Sequence, residues 1–229
     1  MAEGRALIRL ALFGSPVAHS LSPLIHRAFG AQSGVDVDYR CVDTGARALE
    51  AAIRELAATG SPGCNITLPF KALACRLAGH VGENARLAGA ANVLRFDAPA
   101  DWYADNTDGQ GLVRALETAG EGSLQGRRIA ILGAGGAAAG LLAALLKLDP
   151  ATIVIANRTP ARASQLAARH RDLGPARAVP LAELPAQGPF DLVVNATSAG
   201  QRGEALQLEP GLFSADALCQ DLNYGRPSE

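Results

Sequence analysis

The sequence carries no surplus of charge: among its 229 residues, 21 lysines and arginines stand against 22 aspartates and glutamates, for a formal net charge of -1. Without a basic field, binding to nucleic acid has no electrostatic support, and a small ligand is the expectation. Cysteine is scarce and scattered. Cys41, Cys64, Cys75 and Cys219 form no C-x-x-C pair, so neither a zinc site nor a disulfide framework is suggested and reduced, buried thiols are expected. Long apolar runs are missing as well. The opening "ALIRLALFG" is broken by Arg9, no cleavage-site pattern follows it, and no later stretch approaches membrane-spanning length. The expected location is therefore the cytoplasm, with no membrane partner. There is no internal repeat or low-complexity tract. What remains is a chain that is 48% hydrophobic and 19% charged, suited to one large globular domain or two small ones.

Short apolar runs alternate with amphipathic stretches. "LIRLALFG" reads as a strand, and from Ser22 onward Leu24, Ile25, Ala28 and Phe29 share one helical face. "VDYRCVDT" is strand-like, and Leu49, Ala52, Ile53, Leu56 and Ala57 recur at helical spacing before Gly60. "GCNITLP" with "FKALACRLAGH" makes a third cycle, followed by the strand-like pieces "ANVLRF" and "WYADNT" and a helix with Leu112, Ala115, Leu116 and Ala119 on one side. The second half restarts with "RRIAILGAGGAAAGLLAALLKL" and continues through "TIVIANRT", "PARASQLAARH", "RAVPL", "DLVVNATSAG" and "ALCQDLNY". Such alternation predicts mostly parallel sheets covered by helices, whose ligands lie beyond the carboxyl ends of the strands. A domain boundary is expected near Thr107.

"ILGAGGAAAG" puts Gly133, Gly135 and Gly136, with Ala134 and Ala137, at a strand-to-helix turn. It fits G-x-G-x-x-A, in which missing side chains let a pyrophosphate approach a helix N-terminus. The next strand ends at Asn157. An NAD site would carry a carboxylate there for the ribose 2′-hydroxyl, whereas this chain offers Arg158 and Thr159, the cation and donor a 2′-phosphate needs. Thr159 and Pro160 also read as an N-cap and first helical residue. Arg162 then falls in the first helical turn, where it opposes the macrodipole by roughly a few tenths of a kcal/mol unless an anion offsets it. The expected cofactor is NADP.

In the first half, "CNITLPFK" places Asn65 and Thr67 on one strand face, with Lys71 emerging at the carboxyl end. "ADNTDG" offers Asp105 at a strand end, with Asn106 or Thr107 expected to cap the following helix. A Lys71–Asp105 pair meeting across a cleft can shuttle the proton that accompanies hydride transfer between an alcohol and a ketone. "HSLSP" sets Ser20 and Ser22 before a helix, where hydroxyls suit a carboxylate, although Ser22 as a plain cap explains it equally well. His19 reads as structural rather than as a base.

These stretches together, "FGSPVAHSLSP", "NITLPFK", "GAANVL", "ADNTDG", "GAGGAA", "NRT", "NATSAG" and "DLNY", resemble the shikimate dehydrogenase family over nearly the whole chain. The resemblance implies an α/β protein of two domains. Residues 1–106 would form a substrate and catalytic domain with a mostly parallel sheet, and residues 107–229 a connector helix and a Rossmann-type NADP-binding domain. It implies shikimate as substrate and a monomer or homodimer as the working form. Ser20 and Ser22 would hold the substrate carboxylate, Asn65, Thr67, Asn92 and Asp105 its hydroxyls, and Lys71 would be the acid/base residue. Asn157, Arg158, Thr159 and Arg162 would meet the adenosine phosphate, Thr197 and Ser198 the nicotinamide side, and Tyr224 the substrate or nicotinamide. Two departures stand out. Val93 occupies the place of the family's usual threonine, and the chain stops at "DLNYGRPSE", where family members continue through a glycine- and glutamine-containing segment. On that reading a substrate-binding glutamine is missing and apolar surface is left open. A quinate/shikimate enzyme and a catalytically impaired NADP-binding regulatory homologue are the alternatives.

Overall fold

The apolar run "LIRLALFG", interrupted only by Arg9, forms a first strand, β1 (Leu7–Gly14), in a computed structural model that describes residues 7–119, 123–200 and 204–223. There follow α1 (Ser22–Ser33), β2 (Asp36–Asp43), α2 (Leu49–Ala58), β3 (Gly63–Ile66), α3 (Lys71–Leu77), β4 (His80–Val81), α4 (Glu83–Ala88), β5 (Val93–Ala98) and β6 (Asp101–Asp105). The chain divides after Thr107 into two compact units.

The sheet of the first unit has the order β2-β1-β3-β5-β6-β4. Only β5 runs against the others, pairing antiparallel with both β3 and β6, so the sheet is mostly parallel. One face carries the main core. Phe13, Leu49, Ile53, Ile66, Phe70, Leu94 and Trp102 pack there, with the α2 positions that recur at helical spacing turned inward as expected. The short β4 and α4 were not legible in the apolar pattern.

Helix α1 packs against β2 on the other face, where Leu12, Val17 and Tyr39 form a second cluster, and its orientation differs from the simple expectation. The apolar side is turned outward: Leu24 is 63% exposed and Phe29 56%. The packed side carries Gly30 and His26 instead. Gly30 is buried so closely against Val37 and the Val35 carbonyl that a Cβ would collide with both, and the His26 ring stacks on Tyr39. Close backbone approach at a glycine, rather than apolar area, seats this helix.

The second unit contains α5 (Asp108–Thr118), β7 (Arg128–Leu132), α6 (Gly136–Leu146), β8 (Thr152–Asn157), α7 (Pro160–Arg169), β9 (Ala176–Pro180), β10 (Phe190–Asn195) and β11 (Phe213–Asp221). Its five strands are all parallel in the order β11-β10-β7-β8-β9, a doubly wound Rossmann-type sheet. The run "IAILG" is continuous rather than alternating because β7 is central and covered on both faces. Helix α6 is apolar nearly all round and correspondingly buried, with Gly109 of α5 packed against its Gly140 carbonyl and Ala144.

The cysteines depart from the expected burial. Cys64 is buried, Cys41 and Cys75 are intermediate, and Cys219 on the edge strand β11 is exposed; all four are free. Among the described residues no helix is long and apolar enough to cross a membrane.

His170, at the C-terminal end of α7, is fully buried. Its Nδ1 bonds the Leu166 carbonyl at 3.0 Å, while the buried Nε2 has no partner. Burial holds its pKa below the ordinary value of 6.5, reinforced by the charge of Arg169. The unfolded chain therefore takes up the proton first. This contribution to stability is complete above pH 6.5 and is lost as pH falls below it, by at most about 1.4 kcal/mol per pH unit. Urea midpoints measured between pH 7.5 and 5 should fall more steeply for the native chain than for His170→Phe; parallel curves would reject the assignment.

Candidate active site

The first unit gathers polar side chains at the carboxyl ends of its parallel strands. The registers place Cys41, Leu12, Asn65, Val93 and Asp105 in one row across β2, β1, β3, β5 and β6, on the face that α1 partly covers. Asn65, Val93 and Asp105 are only half-buried, so this row is open to a ligand. Val93 sits directly between Asn65 and Asp105 and offers them no hydroxyl.

Lys71 is the first residue of α3 rather than a strand residue, because β3 ends at Ile66 and a turn over Thr67–Phe70 intervenes. Thr67 lies just past the strand, its amide donating to the Phe13 carbonyl at 2.9 Å. The Lys71 carbonyl accepts the Ala91 amide at 2.8 Å, and the Asp105 carbonyl accepts the next amide, Asn92, at 3.0 Å. Consecutive peptide groups thus fasten the two backbones at one end of the sheet. One Asp105 carboxylate oxygen accepts the Asn106 amide at 2.8 Å. Asn92 is tied to Thr107, which donates its amide to Asn92 Oδ1 at 3.0 Å, and Asn106 is buried and donates to the Ala90 carbonyl. Both expected capping residues are therefore engaged with the loop before β5.

Ser20 and Ser22 have their hydroxyl oxygens 3.1 Å apart. The alternative in which Ser22 is a plain cap of α1 does not hold: Leu21 is the N-cap and Ser22 the first helical residue, donating its amide to Ser20 Oγ at 3.2 Å. His19 is exposed.

Two participants escaped the sequence reading. Tyr39, buried on β2, donates its hydroxyl to Asn65 Oδ1 at 2.8 Å. Gly82 lies against the Tyr103 hydroxyl and 3.0 Å from the Asp105 carboxylate, as measured from the position of a Cβ it lacks. The aromatic at an inward position of "VDYRCVD" was the available signal for Tyr39; Gly82 had none.

In the second unit the strand order reverses between β7 and β10, so their carboxyl ends form the switch point where such sheets bind ligands. Gly133 turns there at φ 105°, and a Cβ on it would meet the Ala196 carbonyl oxygen at 2.8 Å and the Thr197 amide nitrogen at 3.2 Å. Gly135, the N-cap of α6, is exposed, and a Cβ there would meet nothing within 4 Å. Ala134, Gly136 and Ala137 complete the turn and are half-buried. Thr197 donates its hydroxyl to Asn195 Oδ1 at 2.8 Å; Asn195 donates to Asp221, and Asn223 donates to the Thr197 carbonyl at 3.1 Å. This network, invisible in the sequence, holds the loop bearing Thr197 and Ser198.

At the end of β8, Asn157 donates to the Thr159 carbonyl at 3.0 Å. Thr159 is the N-cap of α7 but spends no side-chain bond on capping, and the first turn has no acidic residue. Arg158, Thr159 and Arg162 are exposed around that helix N-terminus. Open space at Gly135 and uncapped amides flanked by two guanidinium groups fit a dinucleotide bearing a 2′-phosphate. Tyr224 lies outside the described residues.

Comparison with known proteins bears on both units. A family model described as the shikimate dehydrogenase substrate binding domain matches residues 12–94, and one described as shikimate / quinate 5-dehydrogenase matches residues 115–202. A protein of Dechloromonas aromatica named shikimate dehydrogenase (NADP(+)) is 44% identical over 215 residues, which cover 94% of this chain and 78% of that protein. The shikimate 5-dehydrogenase of Thermus thermophilus, solved with NADP(H) and shikimate, aligns with 34% identity and a TM-score of 0.80, covering 94% of this chain and 78% of that one. The quinate dehydrogenase of Corynebacterium glutamicum, solved with NAD, aligns at 27% identity with a TM-score of 0.85, covering 96% and 81%.

Proposed function

The chain belongs to the shikimate dehydrogenase family, and from that premise we propose that it catalyses the reversible NADP-dependent oxidation of shikimate to 3-dehydroshikimate. It is an oxidoreductase of chorismate and aromatic amino-acid biosynthesis, working in the cytoplasm. The observation that carries this reading is the fastening of Lys71 and Asp105 to consecutive amides beside the open row of Asn65 and Val93.

Residues up to Thr107 bind the acid. Ser20 and Ser22 receive its carboxylate, while Asn65, Thr67, Asn92 and Asp105 hydrogen-bond its hydroxyls. Oxidation at C3 removes a proton from oxygen as a hydride leaves carbon. Lys71 accepts that proton through its amine and returns it in the reverse direction, and the Asp105 carboxylate favours the ammonium form that results. NADP, when bound, supplies the hydride-accepting ring. The residues from Asp108 onward hold it: Gly133 to Ala137 at the pyrophosphate, Asn157, Arg158, Thr159 and Arg162 at the 2′-phosphate, and Thr197 and Ser198 on the nicotinamide side.

A second reading, oxidation of quinate, is favoured by the family description that names both acids and by the likeness to a quinate dehydrogenase. Turnover of each acid with NADP and with NAD, followed by NADPH or NADH absorbance, distinguishes them. Efficient turnover of shikimate with NADP is the expected result. NADPH binding without turnover of either acid would overturn the catalytic reading in favour of a regulatory NADP-binding protein.

The arginines decide the cofactor. A charge-assisted bond to phosphate is worth about 1.5–3 kcal/mol, discounted here because both side chains are exposed. Arg158→Ala should raise KM for NADP about tenfold and leave KM for NAD unmoved. An equal change for both cofactors would show that Arg158 does not read the 2′-phosphate.

A further inference from the structure

Tyr39 is buried, yet it reaches two residues assigned above to the substrate from separate parts of the chain. Its phenol donates to Asn65 Oδ1 at 2.8 Å across the sheet, and the Ser22 hydroxyl is a second hydrogen-bonding neighbour. The ring has little freedom. It is 4% exposed and stacked on His26 with centroids 4.2 Å apart and planes 26° apart. His26 Nδ1 in turn bonds the Ser22 carbonyl at 2.9 Å, so the helix that carries Ser22 also clamps the phenol.

The chemistry of Asn65 gives this contact a consequence. A carboxamide has ends of nearly equal shape, one an acceptor and one a double donor, and only its partners decide which way it points. The Tyr39 O–H donates to Oδ1 and so holds that end of the carboxamide toward β2. The Nδ2 end then turns toward the Asn92 carbonyl at 3.4 Å, and Asn92 continues to Thr107 through an Nδ2 to Oγ1 bond of 3.0 Å. One sequence of bonds runs from Tyr39 through Asn65 and Asn92 to Thr107.

We propose that Tyr39 is a positioning residue of the substrate site: it fixes the Asn65 carboxamide so that an N–H, not a carbonyl oxygen, faces a hydroxyl of the bound acid, while holding Ser22 in place. The proposal rests on the shikimate reading for its kinetic consequence and on geometry alone for the orientation of Asn65.

Tyr39→Phe keeps the ring, its burial and its stacking, and removes only the donor. KM for shikimate should rise roughly tenfold, with kcat changed less than twofold and KM for NADP unchanged. Because Tyr39 acts through Asn65, the double variant Tyr39→Phe with Asn65→Ala should match Asn65→Ala alone. Additive effects on KM, or a fall in kcat without a change in KM, would overturn the proposal. A second readout does not depend on turnover. The side-chain NH2 signals of Asn65 in the NMR spectrum of the native chain should be sharp and slow to exchange, and should broaden or shift in Tyr39→Phe. Unchanged amide signals would reject the orienting role. A native chain inactive on shikimate would refute the functional reading instead, leaving the amide experiment to decide on Tyr39.

Discussion

Lys71→Met is expected to lower kcat for shikimate oxidation about 10²–10⁴-fold, the range a positioned acid/base group contributes, while NADPH binding measured by fluorescence stays unchanged. Methionine keeps an unbranched apolar stem only one atom shorter, so α3, which buries Ala74 rather than Lys71, should keep its packing. Asp105→Asn should fall in the same direction. Residues that act as one unit are not additive, so the double variant should be little worse than the poorer single one. A Lys71→Met enzyme that keeps a tenth of native kcat would remove Lys71 from the proton transfer.

The two glycines of the nucleotide turn should fail in different ways. Gly133→Ala puts a side chain on a backbone at φ 105° and drives it against the Ala196 carbonyl, where no flexible group can yield. The expected cost is about 2–4 kcal/mol of stability, read as a lower urea midpoint. Gly135→Ala should leave that midpoint within roughly 0.5 kcal/mol, since its Cβ projects into open space and its φ of -90° suits any residue. In the proposed cofactor site that space receives the pyrophosphate, so KM for NADP should rise at least about tenfold. A stable Gly133→Ala protein, or Gly135→Ala with unaltered NADP affinity, would reverse the roles assigned here.

Much of the second unit was legible because its signals are local. A continuous apolar strand, three glycines and an apolar helix follow one another in "IAILGAGGAAAGLLAALL", and the arginine after Asn157 replaces the carboxylate an NAD site needs. The chemistry of each of those positions is set by its immediate neighbours. Helix α2 was readable for the same reason, from Leu49, Ile53 and Ala57 at helical spacing.

The first unit was less transparent. The apolar spacing in α1 pointed to a buried Leu24 and Phe29, yet Gly30 and His26 make the contact. Periodicity reports which residues share a face and says nothing about which face finds a partner. The reversal of β5 likewise leaves no trace in its composition, although it is what puts Val93 between Asn65 and Asp105.

The sequence by itself determined the α/β class, the glycine turn and the arginines that stand where an NAD site would carry a carboxylate, since each depends on spacing within a few residues. Only the tertiary structure decided that Tyr39 grips Asn65, that Gly133 backs onto Ala196, and that Lys71 and Asp105 hang from neighbouring amides. Those contacts join segments tens of residues apart, and strand order and register, which set them, are properties of the folded sheet and not of any one stretch of chain.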